Sequence, residues 1–276
     1  MNKLFFYSAL IAGQISMIGL SKAQAIKPGS AILPPPPVNI VIDGDIKEWG
    51  DSLRFYNAEK KINYSLANDK NNLYMAIRIH DRLDQMKILR AGLTFSVDPK
   101  GKKKEAFSIT FPLTVQGSTP MAVIDNSGET TKQERDDLMR ERLTSLRGIK
   151  VEGFKDIEGD MITTSNTYGI QTAINYDENG ALICEAAIPL KFFHADDPTK
   201  NEWAFNFKIN GTSRPRANNQ ENEQMERPGG RGGGMGGGRG GRGGRGGGNR
   251  GQSLHSADNG ELAKSEDFWE KFYLAR

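Results

Sequence analysis

The sequence is short of the groups that most enzyme chemistry uses: one cysteine, Cys184, and three histidines, His80, His194 and His255, in 276 residues. A single cysteine excludes a disulfide framework, and the histidines are too scattered to show metal-ligand spacing. There is no Gly-x-Ser-x-Gly elbow, no His-Glu-x-x-His pair and no glycine loop placed before a helix to cradle a phosphate. Beyond Leu20 no apolar run approaches the ~20 residues of a membrane span, which excludes a polytopic membrane protein. Charge of one sign is scarce too, with 37 Lys+Arg against 34 Asp+Glu and a formal net charge of +3. These absences point to a protein that is not an enzyme and has no dedicated cofactor.

What is present is unevenly spread. Asn2-Lys3, the mostly apolar stretch Leu4 to Leu20 and the small-x-small triplet Ala23-Gln24-Ala25 read as a secretory signal over residues 1–25, cleaved after Ala25, with a retained N-terminal anchor as the alternative. The mature chain is then expected in a periplasm or outside the cell, with no transmembrane span left. Loss of Lys3 and Lys22 lowers the net charge to +1. Half of the 32 glycines, 16, fall between Gly229 and Gly251, and six arginines lie between Arg227 and Gly251 without an acid. The rest of the mature chain is mildly acidic, so one basic segment projects from a negative globule.

Residues 26–37 contain Pro28 and the run Pro34 to Pro37, which favours a stiff polyproline leader. From Val38 onward apolar side chains alternate with period two: Val38/Ile40/Ile42, Ile62/Tyr64/Leu66, Leu73/Met75/Ile77/Ile79, Leu93/Phe95/Val97 and Phe107/Ile109/Phe111/Leu113. The second half repeats the pattern in Tyr168/Ile170/Thr172/Ile174, Leu182/Cys184/Ala186/Ile188 and Trp203/Phe205/Phe207/Ile209. Each predicts a strand with one buried face, and many strands joined by turns predict an all-β antiparallel β-sandwich over 38–276. Thr131-Lys132-Gln133-Glu134 fits a capping box, and Met139, Leu143 and Leu146 follow at helical spacing, predicting one connecting helix over 131–147. Residues 212–264 lack the apolar side chains to offset backbone ordering, so they are expected as a disordered insertion before Phe268, Trp269, Phe272 and Tyr273 restore a last strand.

The opening Ile42-Asp43-Gly44-Asp45-Ile46-Lys47-Glu48-Trp49 resembles the start of family 9 carbohydrate-binding modules and their DOMON-like relatives. Asn68 to Asp81, Leu93 to Pro99 and Ala181 to Leu190 match further blocks of that superfamily in order, so the likeness covers roughly Val38 to Gly211 and the last ten residues. Tyr168 through Leu190 is also similar to secreted Bacteroidetes-type members of unassigned role. The resemblance implies a β-sandwich that binds a polysaccharide, with a pyranose resting on aromatic rings. The candidate rings are Trp269, Tyr273, Tyr56 and Trp49, while Trp203 lies on an inward phase. Some members of the superfamily hold structural calcium, and Asp43, Asp45, Asp69, Asp81 and Asp98 all fall at strand ends where carboxylates could gather around one. Ordinary turn chemistry explains the same aspartates.

The arginine-glycine tract has the composition of segments that bind RNA, but a secreted chain meets no intracellular nucleic acid. Arg231, Arg239, Arg242, Arg245 and Arg250 are therefore candidates for contact with anionic envelope polymers. Two functions follow: a glycan-binding module, or an envelope scaffold that works through its basic tract.

Overall fold

The computed structural model describes residues 31–50, 52–115, 141, 143–212 and 260–276. Segments with alternating apolar residues form the strands. In chain order these are β1 (Phe55–Asn57), β2 (Ile62–Asn68), β3 (Asn72–Ile79), β4 (Leu93–Asp98), β5 (Phe107–Leu113), β6 (Gly148–Glu152), β7 (Met161–Thr163), β8 (Gln171–Tyr176), β9 (Leu182–Pro189), β10 (Glu202–Ile209) and β11 (Glu266–Tyr273). They make two antiparallel sheets, one ordered β1-β2-β3-β9-β8 and one ordered β11-β10-β4-β5-β6-β7. We call these the β3 sheet and the β4 sheet.

This architecture corrects the expected single β-sandwich with one connecting helix. The two sheets are separate and open. Among the described residues no strand pairs across from one to the other, and each sheet ends in unclosed edges, β1 and β8 in one and β11 and β7 in the other. Three helices lie wholly within the described residues: α1 (Arg82–Ala91) and the 3-10 helices Lys47–Trp49 and Leu190–Phe193. The physical reason for the difference is that period-two alternation reports which face of a strand is buried and nothing about the sheet it joins. The likeness to family 9 modules implied the same sandwich, and that expectation of the fold is corrected with it.

Helix α1 has a local cause. The Asp81 carboxylate accepts the N–H groups of Leu83 and Asp84, satisfying two of the orphan donors of the first turn. At its far end Gly92 adopts φ +79° and closes on Ile88 O, and a Cβ there would lie 2.8 Å from Thr110 Cγ2. The predicted helix at 131–147 falls largely outside the described residues, of which Leu143 to Ser145 are helical. The signal segment and the arginine-glycine tract also lie outside them.

Val38, Ile40 and Ile42 do not form a strand. Ile40 and Ile42 instead lie with Trp49 against Ala67, Tyr74 and Ala187 on the outer face of the β3 sheet, while Val38 stays exposed. Within the Pro-rich leader, Leu33 is buried and its N–H donates to Tyr273 O at 2.8 Å, so this stretch covers part of the β11 edge.

The inward faces of both sheets feed one hydrophobic core. Rings meet across it: Tyr64 and Phe207 centroids are 5.1 Å apart, and Phe55 and Phe272 5.0 Å. Since Phe268 and Phe272 point inward, Trp269, Lys271 and Tyr273 of β11 point outward.

Candidate functional site

The outer face of the β4 sheet is the best-formed candidate surface. Strand register places five outward residues in one transverse rung: Trp269, Asn206, Ser96, Ser108 and Glu152, contributed by β11, β10, β4, β5 and β6. At about 4.8 Å per strand the rung spans roughly 19 Å. The sequence produces it directly, because the inward partners Phe95, Phe205, Phe207 and Phe268 fix the phase and leave small polar residues outside. Trp269 is half-buried and the one aromatic in the rung.

The polar groups of this rung are unevenly satisfied. Asn206 Nδ2 donates to Asp267 Oδ2 at 2.9 Å and Phe268 O at 3.1 Å, yet Asn206 Oδ1 has no donor. Ser96 Oγ, next in the rung, is also without a partner, and both residues are fully buried. An unpaired buried polar atom costs about 1–3 kcal/mol, so this pair is a reserve of hydrogen-bonding capacity. Ser108 Oγ donates to Glu152 Oε2 at 3.3 Å, and Lys150 Nζ lies 2.9 Å from Glu152 Oε1. The Lys150 hydrogen bond holds the Glu152 carboxyl below its ordinary range. In the neighbouring rung the hydroxyls of Thr94 and Thr110 bond at 2.7 Å, and Asn210 Nδ2 donates to Thr94 Oγ1 at 2.9 Å.

Of the four predicted platform residues, the structure brings together Trp269 and Tyr273, on one face of one strand with Lys271 between them. Tyr56 is half exposed but pairs with Asn63 at the edge of the other sheet and faces the opposite side of the molecule. Trp49 is packed into a latch: its Nε1 donates to Glu185 Oε1 at 2.8 Å, while Gly44 N–H donates to Glu185 Oε2 at 2.8 Å. Glycine is required at 44, where φ is +87° and a Cβ would lie 2.7 Å from Asn175 Cβ. Burial pushes the Glu185 carboxyl up to about 7, opposed by these two donors. Trp203 is a core residue, with Phe193 at 5.3 Å and edge-on.

The five aspartates stay apart, each closing its own turn. Asp43 accepts the N–H of Asp45, and Asp45 that of Lys47. Asp69 accepts from Asn71, Asn72 and the Tyr74 hydroxyl, Asp81 caps α1, and Asp98 accepts from Lys100, Lys102 and Lys104. Among the described residues no three His, Cys, Asp or Glu side chains gather as metal ligands. His194 pairs with Asp156 at 2.8 Å, and the buried Cys184 thiol is pushed well up by desolvation. Arg231, Arg239, Arg242, Arg245 and Arg250 lie outside the described residues.

Sequence reasoning missed Glu185, Asn206 and Ser96. Alternation marked all three as outward and therefore as solvated; only the tertiary register shows them covered. A depression of about 480 Å³ between Leu143–Arg147 and Thr172–Asn175 is lined by aliphatic and threonine side chains together with Arg147 and Asn175, with no aromatic ring, so it offers no platform for a pyranose. Among the described residues no helix is long and apolar enough to cross a membrane. Comparisons with family models, curated proteins and solved structures return no match for this chain.

Proposed function

We propose that the chain is a non-catalytic glycan-binding protein of the periplasm or the cell exterior, and that it takes its ligand on the outer face of the β4 sheet. The observation that carries this reading is the rung in which half-buried Trp269 stands beside Asn206 and Ser96, whose buried side-chain oxygens lack partners. A pyranose needs that combination: a flat π surface for its axial C–H groups, and donors or acceptors for its hydroxyls. A sugar hydroxyl arriving beside the indole and displacing the long side chains of the face gives Asn206 Oδ1 its donor and Ser96 Oγ a partner. Tyr273 extends the aromatic strip along the same strand. The signal-like N-terminus supports the compartment, and the scarcity of nucleophile and metal-ligand constellations in the sequence supports a binding role.

A glycan array probed with the protein and with Trp269→Ala tests the reading. Trp269→Ala removes the platform and costs about 2 kcal/mol, roughly thirtyfold in Kd, for a ligand held on this face. Binding untouched by Trp269→Ala, and lost in high salt, would move the function to the arginine-glycine tract and leave the folded part as a scaffold for contact with anionic polymers.

A further inference from the structure

The connection from β4 to β5 carries Lys100, Lys102, Lys103 and Lys104, all exposed, against a single acid, Glu105. Such a run is ordinarily a mobile solvated turn, but here it is pinned. The buried Asp98 carboxylate accepts the backbone N–H groups of Lys100 at 2.9 Å, Lys102 at 2.8 Å and Lys104 at 3.1 Å, which wraps the loop around one side chain. Gly101 takes φ +65° against Glu202, where a Cβ would lie 2.6 Å from the Glu202 carbonyl oxygen. Of the nearby acids, Glu105 pairs with Lys208 at 3.5 Å and Glu202 with Lys271 at 3.6 Å, while the Lys103 charge acts on the Glu270 carboxyl only at longer range than an ion pair. Among the described residues none of the four loop lysines is in an ion pair. Four like charges fixed on one turn repel one another, and a polyanion relieves that repulsion without further ordering of the loop.

The loop springs from the Trp269 face. Asp98 and Lys271 share a rung through Ala204, so the loop base lies two strands and two residues from Trp269, roughly 12 Å away. We infer that the glycan taken by this face is acidic, a polyuronate whose carboxylates lie along the lysine loop while one sugar ring rests on Trp269. This rests on the glycan-binding reading above. A polysaccharide fits better than an anionic lipid surface, because the loop tip has no large apolar side chain to enter a membrane interface.

The test is binding of the full chain to polygalacturonate, to neutral amylose and to phosphatidylglycerol vesicles at 150 mM salt. It compares the wild type with the triple variant Lys102→Gln/Lys103→Gln/Lys104→Gln and with Trp269→Ala. All three substituted lysines are exposed and, among the described residues, in no ion pair, so the fold should be retained, which circular dichroism of each variant checks, and the arginine-glycine tract is common to every sample. Expected is saturable binding to polygalacturonate, weakened about tenfold by the triple variant, with a shallower salt dependence, and weakened also by Trp269→Ala. Amylose binding lost in Trp269→Ala but untouched in the triple variant overturns the acidic ligand and leaves the glycan reading standing. Polygalacturonate binding that falls in the triple variant and not in Trp269→Ala overturns both, since the platform then plays no part. Binding unchanged in either variant, or vesicle binding without polygalacturonate binding, overturns both as well.

Discussion

Glu185→Gln is the most informative perturbation of the folded part. Glu185 is fully buried beneath the segment that runs from Ile40 to Trp49, and it receives two N–H donors at 2.8 Å each. Burial holds its carboxyl near 7, against an ordinary value of 4.5 in the unfolded chain. The folded protein therefore binds this proton more tightly than the unfolded one. The associated stability is fully present below pH 4.5 and is lost as pH rises through 7. Integrated over that window the single group amounts to about 3 kcal/mol, with a limiting slope of about 1.4 kcal/mol per pH unit. The neighbouring Asp43 charge raises the Glu185 carboxyl further, in the same direction. Glutamine cannot titrate, so the variant loses this slope. It also turns an amide N–H₂ toward one of the two donors, which costs about 1–2 kcal/mol at low pH. Guanidinium unfolding of both proteins at intervals from pH 4.5 to 7.5 measures the difference. The wild type should fall by about 3 kcal/mol relative to Glu185→Gln across that range. Parallel profiles within ~0.5 kcal/mol would refute the proton linkage and the latch built on it.

Three further substitutions probe other parts of the structure. Trp203→Ala empties a core site ringed by Phe193 and Phe205 and should cost about 3–5 kcal/mol in chemical denaturation; a loss under ~1 kcal/mol would remove Trp203 from the core. Asp81→Ala deletes the α1 cap and should cost about 1 kcal/mol, with Asp81→Asn retaining most of it. Lys87 is buried between Asp84 at 3.2 Å and Glu266 at 3.1 Å, so Lys87→Ala strands a mostly buried carboxylate and should cost about 3 kcal/mol, whereas an effect below ~0.5 kcal/mol would mark the pair as solvated.

The strand cores were legible in the sequence, because an aromatic or β-branched residue at every second position has one physical solution. Phe95/Val97 and Phe205/Phe207 show this, and so does Phe268/Phe272 after the long insertion. Strands of three residues were not legible: Phe55–Asn57 and Met161–Thr163 are too short to show a period. Helix α1 was readable from Asp81 at one end and Gly92 at the other, but the strand preceding it drew Asp81 into a turn. Sheet membership was not legible at all, since it depends on long-range register, and the inference from many strands to a sandwich failed there. The candidate site was partly legible. Trp269 and Tyr273 stood out as aromatics near a terminus, whereas their partners Asn206 and Ser96 are ordinary polar residues whose importance comes from lying in one rung with side-chain oxygens that lack a hydrogen-bond partner. Glu185 was hidden for the converse reason, as an outward residue covered by a segment more than a hundred positions away.

The measurement that bears most directly on the proposed function is a tryptophan-fluorescence titration of the wild type with a glycan retained on the array, run beside Trp269→Phe. Trp203 lies in the core and Trp49 is tied to Glu185, so they serve as internal references. A saturable spectral change in the wild type that disappears in Trp269→Phe is the predicted result. A change that persists in Trp269→Phe, or no saturable change with any glycan, would contradict ligand binding on the Trp269 face.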